Sequence, residues 1–293
     1  MAVSLTLDAD KNHPVNYMQV PHSYIEDSVQ LALQEDIGSG DVTAKLIAED
    51  DFSLATVISR EAAVICGVDW FEEVFAQLDP QIFIEWDVDD GDQIEAGQTL
   101  CSLSGSSRAL LSGERTALNF LQTLSSTASK AAQYVAAVAG TSTRILDTRK
   151  TIPGLRLAQK YAVSCGGAVN HRIGLYDAVL IKENHILAAG GIPQAVSAAR
   201  FNSPELMIEV EVENMVELQQ ALDTNVNRIM LDNFNLQQLS EAVALTAGRT
   251  ELEASGNVSL DTVRAIAETG VDFISTGAIT KDIKAIDLSM RFS

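Results

Sequence analysis

The polar residues that interrupt the C-terminal half of this chain fall at regular places. Arg149 and Lys150 follow RILDT, Lys182 follows DAVLI, Glu211 stands late in LMIEVEV, and Asp232 ends RIMLD. Ser255 and Gly256 close ELEAS and the glycine after it, and Ser275 to Gly277 close FISTG. Arg149 and Arg172 are planar, permanently charged forks that match carboxylates two contacts at a time. Lys150 and Lys182 are compact charges suited to phosphate or carboxylate. Together they describe a polyanion site. Glu211 and Asp232, on consecutive strand candidates, offer hard oxygen ligands for magnesium, completed by water and substrate phosphates; read the other way, they neutralise Lys150 and Lys182. His171, beside Arg172 in VNHRIGLYD, can donate to a carboxylate or a ring nitrogen, or be a satisfied core histidine. The loops ASGNVS and STGAIT each precede a helix candidate, which offers backbone N–H groups and a positive helix end to a phosphate. Arg115, in GERTALN, lies ahead of these segments and reads by itself as a helix-surface arginine.

The elements that must position these residues are legible from their periods. Short apolar segments (RILDT, DAVLI, LMIEVEV, RIMLD, ELEAS, FISTG) alternate with helix candidates (IPQAVSAAR, MVELQQALD, LQQLSEAVALTA, LDTVRAIAET). Strand followed by helix, repeated, implies parallel strands with crossover helices, here read as a barrel with six clear strands rather than the usual eight. Parallel α/β folds carry their sites at the C-terminal strand edge, where the polar residues cluster. Upstream, SYIEDSVQLALQED reads as a helix, broken by the glycines of IGSGDVT. Residues 53–66 and 82–103 alternate as strands around the helix candidate WFEEVFAQL. VDDGDQIEAGQTLCSLSG resembles half of a lipoyl or biotinyl carrier barrel, yet no lysine lies between Glu61 and Leu110 to take the attachment. Gly113 to Ala139 reads as a long alanine-rich helix leading into the second domain. The domains expected are an N-terminal extension (1–23), a sheet-containing domain with its connecting helix (24–139) and the catalytic barrel (140–293), whose final segment is free to pack back on the N-terminal domain.

Composition narrows the partners. Forty acidic against twenty basic residues give a formal charge of −20, which repels nucleic acid and anionic lipid at long range. The cations concentrate instead between Arg144 and Lys182, where seven face only Asp147 and Asp177, as a protein that binds a small anion requires. The three cysteines, Cys66, Cys101 and Cys165, show no metal-ligand spacing and suit a reducing, cytoplasmic setting. Neither a leader peptide nor a membrane span is expected from the first residues or from any apolar run.

ALQEDIGSGDVT, GERTALNFLQTLSSTA, LDTRKTIPGLRLAQKYAVSCGGAVNHRIGLYDAVLIKENH, IEVEVEN, IMLDNF, LEASGNV and ISTGAIT, in unbroken order over roughly residues 24–290, resemble the successive signatures of the quinolinate phosphoribosyltransferase family. The resemblance implies an N-terminal α/β sandwich, an incomplete parallel α/β barrel, and a homodimer whose active sites are shared across the interface. It implies an enzyme that transfers phosphoribosyl from phosphoribosyl pyrophosphate to quinolinate with loss of carbon dioxide, using magnesium, in NAD biosynthesis. On that reading Arg149, His171, Arg172 and Lys182 line the quinolinate pocket, with Arg115 entering from the neighbouring subunit. Lys150, Glu211 and Asp232 serve the phosphoribosyl donor and its metal, Asn257 also binds the donor, and Ser255, Gly256, Ser275 and Gly277 hold its 5′-phosphate. Lys150, Lys182, Glu211 and Asp232 are the expected catalytic groups. EDIGSGDVT belongs to the signature without an evident physical role. Three rivals stand beside this reading: a homologue acting on another anionic base, as in molybdate transporter operons; an aldolase-like barrel with a Schiff-base lysine; and a carrier module, disfavoured by the missing lysine.

Overall fold

The computed structural model describes residues 17–292; of the extension expected over 1–23, residues 1–16 lie outside the described residues. Helix α1 (His22–Ile37) precedes strands β1 (Phe52–Ser59) and β2 (Ala63–Val64), helix α2 (Val68–Leu78), strands β3 (Phe83–Trp86), β4 (Gln93–Ile94) and β5 (Thr99–Ser106), and the long helix α3 (Ser107–Ala137). Alternation puts Ala55 and Val57 of β1 and Leu103 of β5 inward, so the two strands pair antiparallel with one face buried. Helix α2 covers that face with Trp70, Phe71, Val74 and Phe75, all buried. Each of these large side chains contributes about 1.5 to 3 kcal/mol by leaving water.

The second half runs β6 (Arg144–Leu146), α4 (Arg156–Cys165), β7 (Val179–Ile181), α5 (Glu183–Ala189), α6 (Ile192–Asn202), β8 (Ile208–Val212), α7 (Met215–Leu222), β9 (Arg228–Asp232), α8 (Leu236–Thr246), β10 (Glu251–Ser255), α9 (Val263–Ala267), β11 (Phe273–Ser275) and α10 (Ala278–Lys281). Six strands form one parallel sheet in the order β6-β11-β10-β9-β8-β7, and Val169 adds a single parallel bridge beside Leu146. This is an α/β barrel left incomplete between β6 and β7. The last strand, β12 (Leu288–Phe292), leaves it and pairs with β1, giving the N-terminal sheet the order β12-β1-β5-β3.

Alternation along the parallel strands sorts the barrel's contents. Ile208, Val210 and Val212 of β8, Ile229 and Leu231 of β9, and Leu252 and Ala254 of β10 join the helices' Leu218, Leu239 and Val263 in one apolar cluster. The other parity, Glu209, Glu211, Arg228, Asp232, Glu253 and Ser255, is therefore left for the barrel interior and its mouth. Helix α3 spans both units: Leu118, Leu121 and Leu124 pack in the first core, Ala131 and Tyr134 in the second.

Helix ends follow local chemistry. Asn235 and Gln238 form a capping box on α8, and the Asn214 side chain caps α7. Two expected helices are shorter than their sequences suggested. LDTVRAIAET is helical only over Val263–Ala267, because Ser259 to Thr262 form a turn in which Ser259 N donates to Thr262 Oγ1 at 2.9 Å. Helix α10 has four residues. Neither has the length for a useful dipole, so a phosphate at these loops meets individual N–H and O–H groups rather than a long helix end.

Candidate active site

All six strands of the parallel sheet end at one edge, and there the loops after β6, β10 and β11 enclose a cavity of 240 Å³. Lys150, Ser255, Gly256, Asn257, Ser275, Thr276 and Gly277 line it, together with Thr148 and Lys281, which sequence reasoning missed. Two glycines are required by close approach. Gly256 has φ +97°, and a Cβ there would run into the Asn233 carboxamide; a Cβ on Gly277 would meet Lys150 Cδ at 2.8 Å. The Lys150 backbone is itself held, its carbonyl accepting from Thr280 Oγ1 at 2.7 Å. Small donors around a lysine make a cradle for a phosphate.

On the adjoining strands, Lys182 Nζ is paired with Glu211 Oε2. Asp232 Oδ2 accepts from Asn233 Nδ2 at 2.7 Å. Among the described residues the second oxygen of each carboxylate accepts no hydrogen bond. Glu211 and Asp232 are thus the oxygen ligands this edge could offer a magnesium ion, which takes one or two carboxylates and completes its shell with water and phosphate.

Arg172 is half-buried, with Nη1 3.4 Å from the Ala178 carbonyl. Burial, and then the neighbouring charge of Arg149, lower its pKa from the usual guanidinium value, so the two forks share one region. Of the seven cations between Arg144 and Lys182, Arg149, Lys150, Arg172 and Lys182 remain for such work. Arg144 lies over the Phe273 ring at 4.6 Å. Arg156 donates to Thr151 Oγ1 and to the Ile173 and Arg149 carbonyls, clasping the two cationic loops together.

Lys160, one of the seven cations of that run, and Asp147, one of the two acids set against it, are instead a fully buried ion pair, Nζ to Oδ1 2.5 Å. Burial pushes Asp147 up and Lys160 down, each against the pull of its partner's charge. The pair organises the next loop. Lys160 Nζ donates to the His171 carbonyl at 2.9 Å, His171 N to Asp147 Oδ1 at 2.8 Å, and Asn170 Nδ2 to Asp147 Oδ2 at 2.7 Å.

The His171 ring turns into the barrel. Its Nδ1 accepts the Arg172 backbone N–H at 2.8 Å, and its Nε2 lies 2.9 Å from Glu209 Oε2 and 3.5 Å from Glu253 Oε2. Arg228 Nη1 is 3.5 Å from the same Glu253 oxygen. Glu209 and Glu253 are both fully buried; burial pushes Glu209 up to about 7 and Glu253 up to about 8, the nearby Glu209 charge adding to the latter. Burial also lowers the His171 pKa. Sequence reasoning missed both carboxylates, although each stands two residues before a chosen site residue on the same strand face, Glu209 before Glu211 and Glu253 before Ser255.

Arg115 is exposed on α3. The EDIGSGDVT loop is tied to the same helix: Asp41 accepts from the Thr43 and Ala44 N–H groups and from Ser112 Oγ, and Asp36 accepts from Thr116 Oγ1. The loop thus fixes the stretch of α3 on either side of Arg115. Hydrogen bonding, first from the Ala44 N–H, holds Asp41 below the usual carboxylate range.

A parallel barrel with a phosphate-sized cradle, a carboxylate pair and converging arginines defines a barrel enzyme for anionic, phosphorylated substrates. Comparison with known proteins sharpens that class. Residues 41–125 match the family model for the N-terminal domain of quinolinate phosphoribosyl transferase, and residues 127–291 match that for its C-terminal domain. The chain belongs to the quinolinate phosphoribosyltransferase family. It is 43% identical over 275 residues to a probable nicotinate-nucleotide pyrophosphorylase [carboxylating] of Synechocystis, covering 92% of this chain and 93% of that protein. A quinolinate phosphoribosyltransferase [decarboxylating] of Nicotiana tabacum is 38% identical, covering 99% of this chain and 90% of its own. The solved structure of the nicotinate-nucleotide pyrophosphorylase from Francisella tularensis superimposes with a TM-score of 0.90 at 48% identity, over 94% of this chain and 98% of that one.

Proposed function

We propose that the chain catalyses the decarboxylating transfer of phosphoribosyl from phosphoribosyl pyrophosphate to quinolinate, giving nicotinate mononucleotide, pyrophosphate and carbon dioxide. The observation that carries this reading is the junction of two anion sites at one barrel edge, the cradle around Lys150 and the paired forks of Arg149 and Arg172. The decarboxylating and carboxylating names of the relatives favour quinolinate over another anionic base.

In the first step the quinolinate nitrogen bonds to the anomeric carbon as the bond to pyrophosphate breaks. Ser255, Gly256, Asn257, Ser275 and Gly277 hold the 5′-phosphate, while Lys150 faces the pyrophosphate and takes up part of its growing charge. Glu211 and Asp232 would hold magnesium, which would supply positive charge to the pyrophosphate leaving group. Both carboxylates also favour the positive charge on the ribose carbon. Arg149, Arg172 and Lys182 orient the two ring carboxylates, with Arg115 completing the pocket from a second subunit. The carboxylate next to the nitrogen then leaves as carbon dioxide, its bonding pair drawn toward the positive ring and finally taken by a proton. Cations that gripped that carboxylate too tightly would slow its loss, so their work is orientation.

The enzyme works as a homodimer. A 480 Å³ groove between α1 and α3, lined by Leu31, Thr116, Asn119, Phe120 and Pro153, starts beside Arg115 and offers apolar surface for a second copy. Cysteines that are all free and buried suit the cytoplasm, and no helix among the described residues is long and apolar enough to cross a membrane. Substrate choice tests the reading: quinolinate must be consumed in preference to nicotinate, and equal use of nicotinate would refute a pocket built for two carboxylates.

A further inference from the structure

Arg172 has one weak side-chain contact, to the Ala178 carbonyl, so its aim depends on how its own backbone is held. That backbone N–H is fixed by His171 Nδ1 at 2.8 Å. A neutral imidazole accepts at one nitrogen only if the other carries the proton, and a buried N–H needs an acceptor of its own. His171 Nε2 lies 2.9 Å from Glu209 Oε2 and 3.5 Å from Glu253 Oε2, close contacts that fall outside hydrogen-bond geometry, so the two carboxylates bear on the ring electrostatically. We propose that Glu209 and Glu253 are positioning residues for quinolinate recognition: they hold the His171 ring in the tautomer whose Nδ1 accepts from Arg172, and so aim the Arg172 guanidinium at the substrate. This rests on the reading that Arg172 binds quinolinate.

The barrel argues that the arrangement is purposeful. Carboxylates with no exposure, none of whose oxygens has a hydrogen-bond partner among the described residues, cost desolvation that apolar residues at the same places would avoid. Arg228, 3.5 Å from Glu253, offsets part of that cost without reaching the mouth. The peptide of His171 is pinned separately, its N–H by Asp147 and its carbonyl by Lys160. Losing the carboxylates therefore frees the ring and the Arg172 peptide while the loop stays anchored. The arrangement matches the way a carboxylate sets the tautomer of a metal-binding histidine, with the Arg172 N–H in the place of the metal.

Glu209→Leu and Glu209→Gln test this in the full-length enzyme. Leucine offers Nε2 no acceptor, whereas glutamine presents a side-chain carbonyl. Removing the carboxylate beside Nε2 should raise the quinolinate KM of Glu209→Leu about tenfold or more, with the phosphoribosyl pyrophosphate KM and kcat within about twofold of wild type. Glu209→Gln should stay within about threefold for quinolinate. Nitrogen-15 NMR of the ring should show Nε2–H in the wild type and a shift toward Nδ1–H in Glu209→Leu. Equal damage to both substrates, or an unchanged tautomer, would overturn the proposal. If Glu209→Leu does not fold, two other variants decide. His171→Asn keeps an acceptor near the place of Nδ1, whereas His171→Gln reaches toward Glu209 and loses it. The proposal requires the quinolinate KM of His171→Asn to be lower than that of His171→Gln by about tenfold, and the same or the reverse order overturns it. Wild-type enzyme that failed to turn over quinolinate would refute the functional reading instead, leaving the tautomer measurement to judge the positioning claim.

Discussion

Replacing Lys160 with methionine removes the charge from a pair in which neither side chain has any solvent exposure. Methionine fills most of the lysine's volume, so the loss is electrostatic: Asp147 is left as a buried carboxylate with only the His171 N–H and the Asn170 amide to hold it, and the His171 carbonyl loses its donor. Breaking a buried pair on one side costs about 3 to 5 kcal/mol. At about 2 °C per kcal/mol for a chain of this size, Tm should fall by roughly 6 to 10 °C. The sign with pH is fixed. Burial already raises the Asp147 pKa, and losing Lys160 raises it further. A carboxylate whose folded pKa lies above its unfolded one contributes stability below the unfolded value and loses it as pH rises, so the variant's deficit should be large at neutral pH and shrink on acidification. Adding Asp147→Asn should return part of the loss, because the uncompensated charge is then gone. Urea titrations of the two single variants and the double variant at two pH values, with quinolinate kinetics alongside, measure all of this. A Lys160→Met enzyme as stable as wild type, with unchanged quinolinate KM, would refute the assignment of the pair as the anchor of the His171–Arg172 loop.

Three further outcomes are expected. Asp232→Asn should raise the magnesium requirement while leaving quinolinate binding nearly intact; full wild-type activity in excess chelator would remove the metal from the account. Arg115→Ala and Lys182→Ala, each inactive, should regain about a quarter of normal activity when unfolded and refolded together, since about half the dimers are mixed and each mixed dimer has one complete site; recovery no greater than the sum of the two would place Arg115 within its own chain's site. Glu253, raised to about 8 by burial, should make the folded state lose about 1.4 kcal/mol per pH unit between the unfolded carboxylate value and its own. Glu253→Gln should accordingly flatten the fall of stability with rising pH over that window, and an unchanged slope would show that Glu253 is ionised throughout.

Alternation made much of the barrel readable before its structure. IEVEV and ELEAS put apolar residues on one parity and polar ones on the other, and the last polar residue of each strand, Glu211 and Ser255, marked the mouth. The same alternation held Glu209 and Glu253, but a carboxylate one layer below the mouth looks in sequence like any strand residue, and what distinguishes it is burial. The cationic run between Arg144 and Lys182 misled in the complementary way. Charge density along a chain does not separate a lysine that meets solvent from Lys160, which turns inward to Asp147 thirteen residues earlier. EDIGSGDVT had no readable role because its partners, Ser112 and Thr116, are more than seventy residues away on α3. Helix ends failed where a local turn competed, as at Ser259 to Thr262.

The central claim is that one barrel edge brings a dicarboxylate pyridine and a phosphoribosyl donor together and releases carbon dioxide. It is tested most directly by incubating the purified protein with phosphoribosyl pyrophosphate, magnesium and quinolinate labelled at the carboxylate next to the ring nitrogen. The account predicts labelled carbon dioxide, pyrophosphate and an unlabelled nicotinate mononucleotide in equal amounts. No product, or a nucleotide that keeps the label, would contradict it.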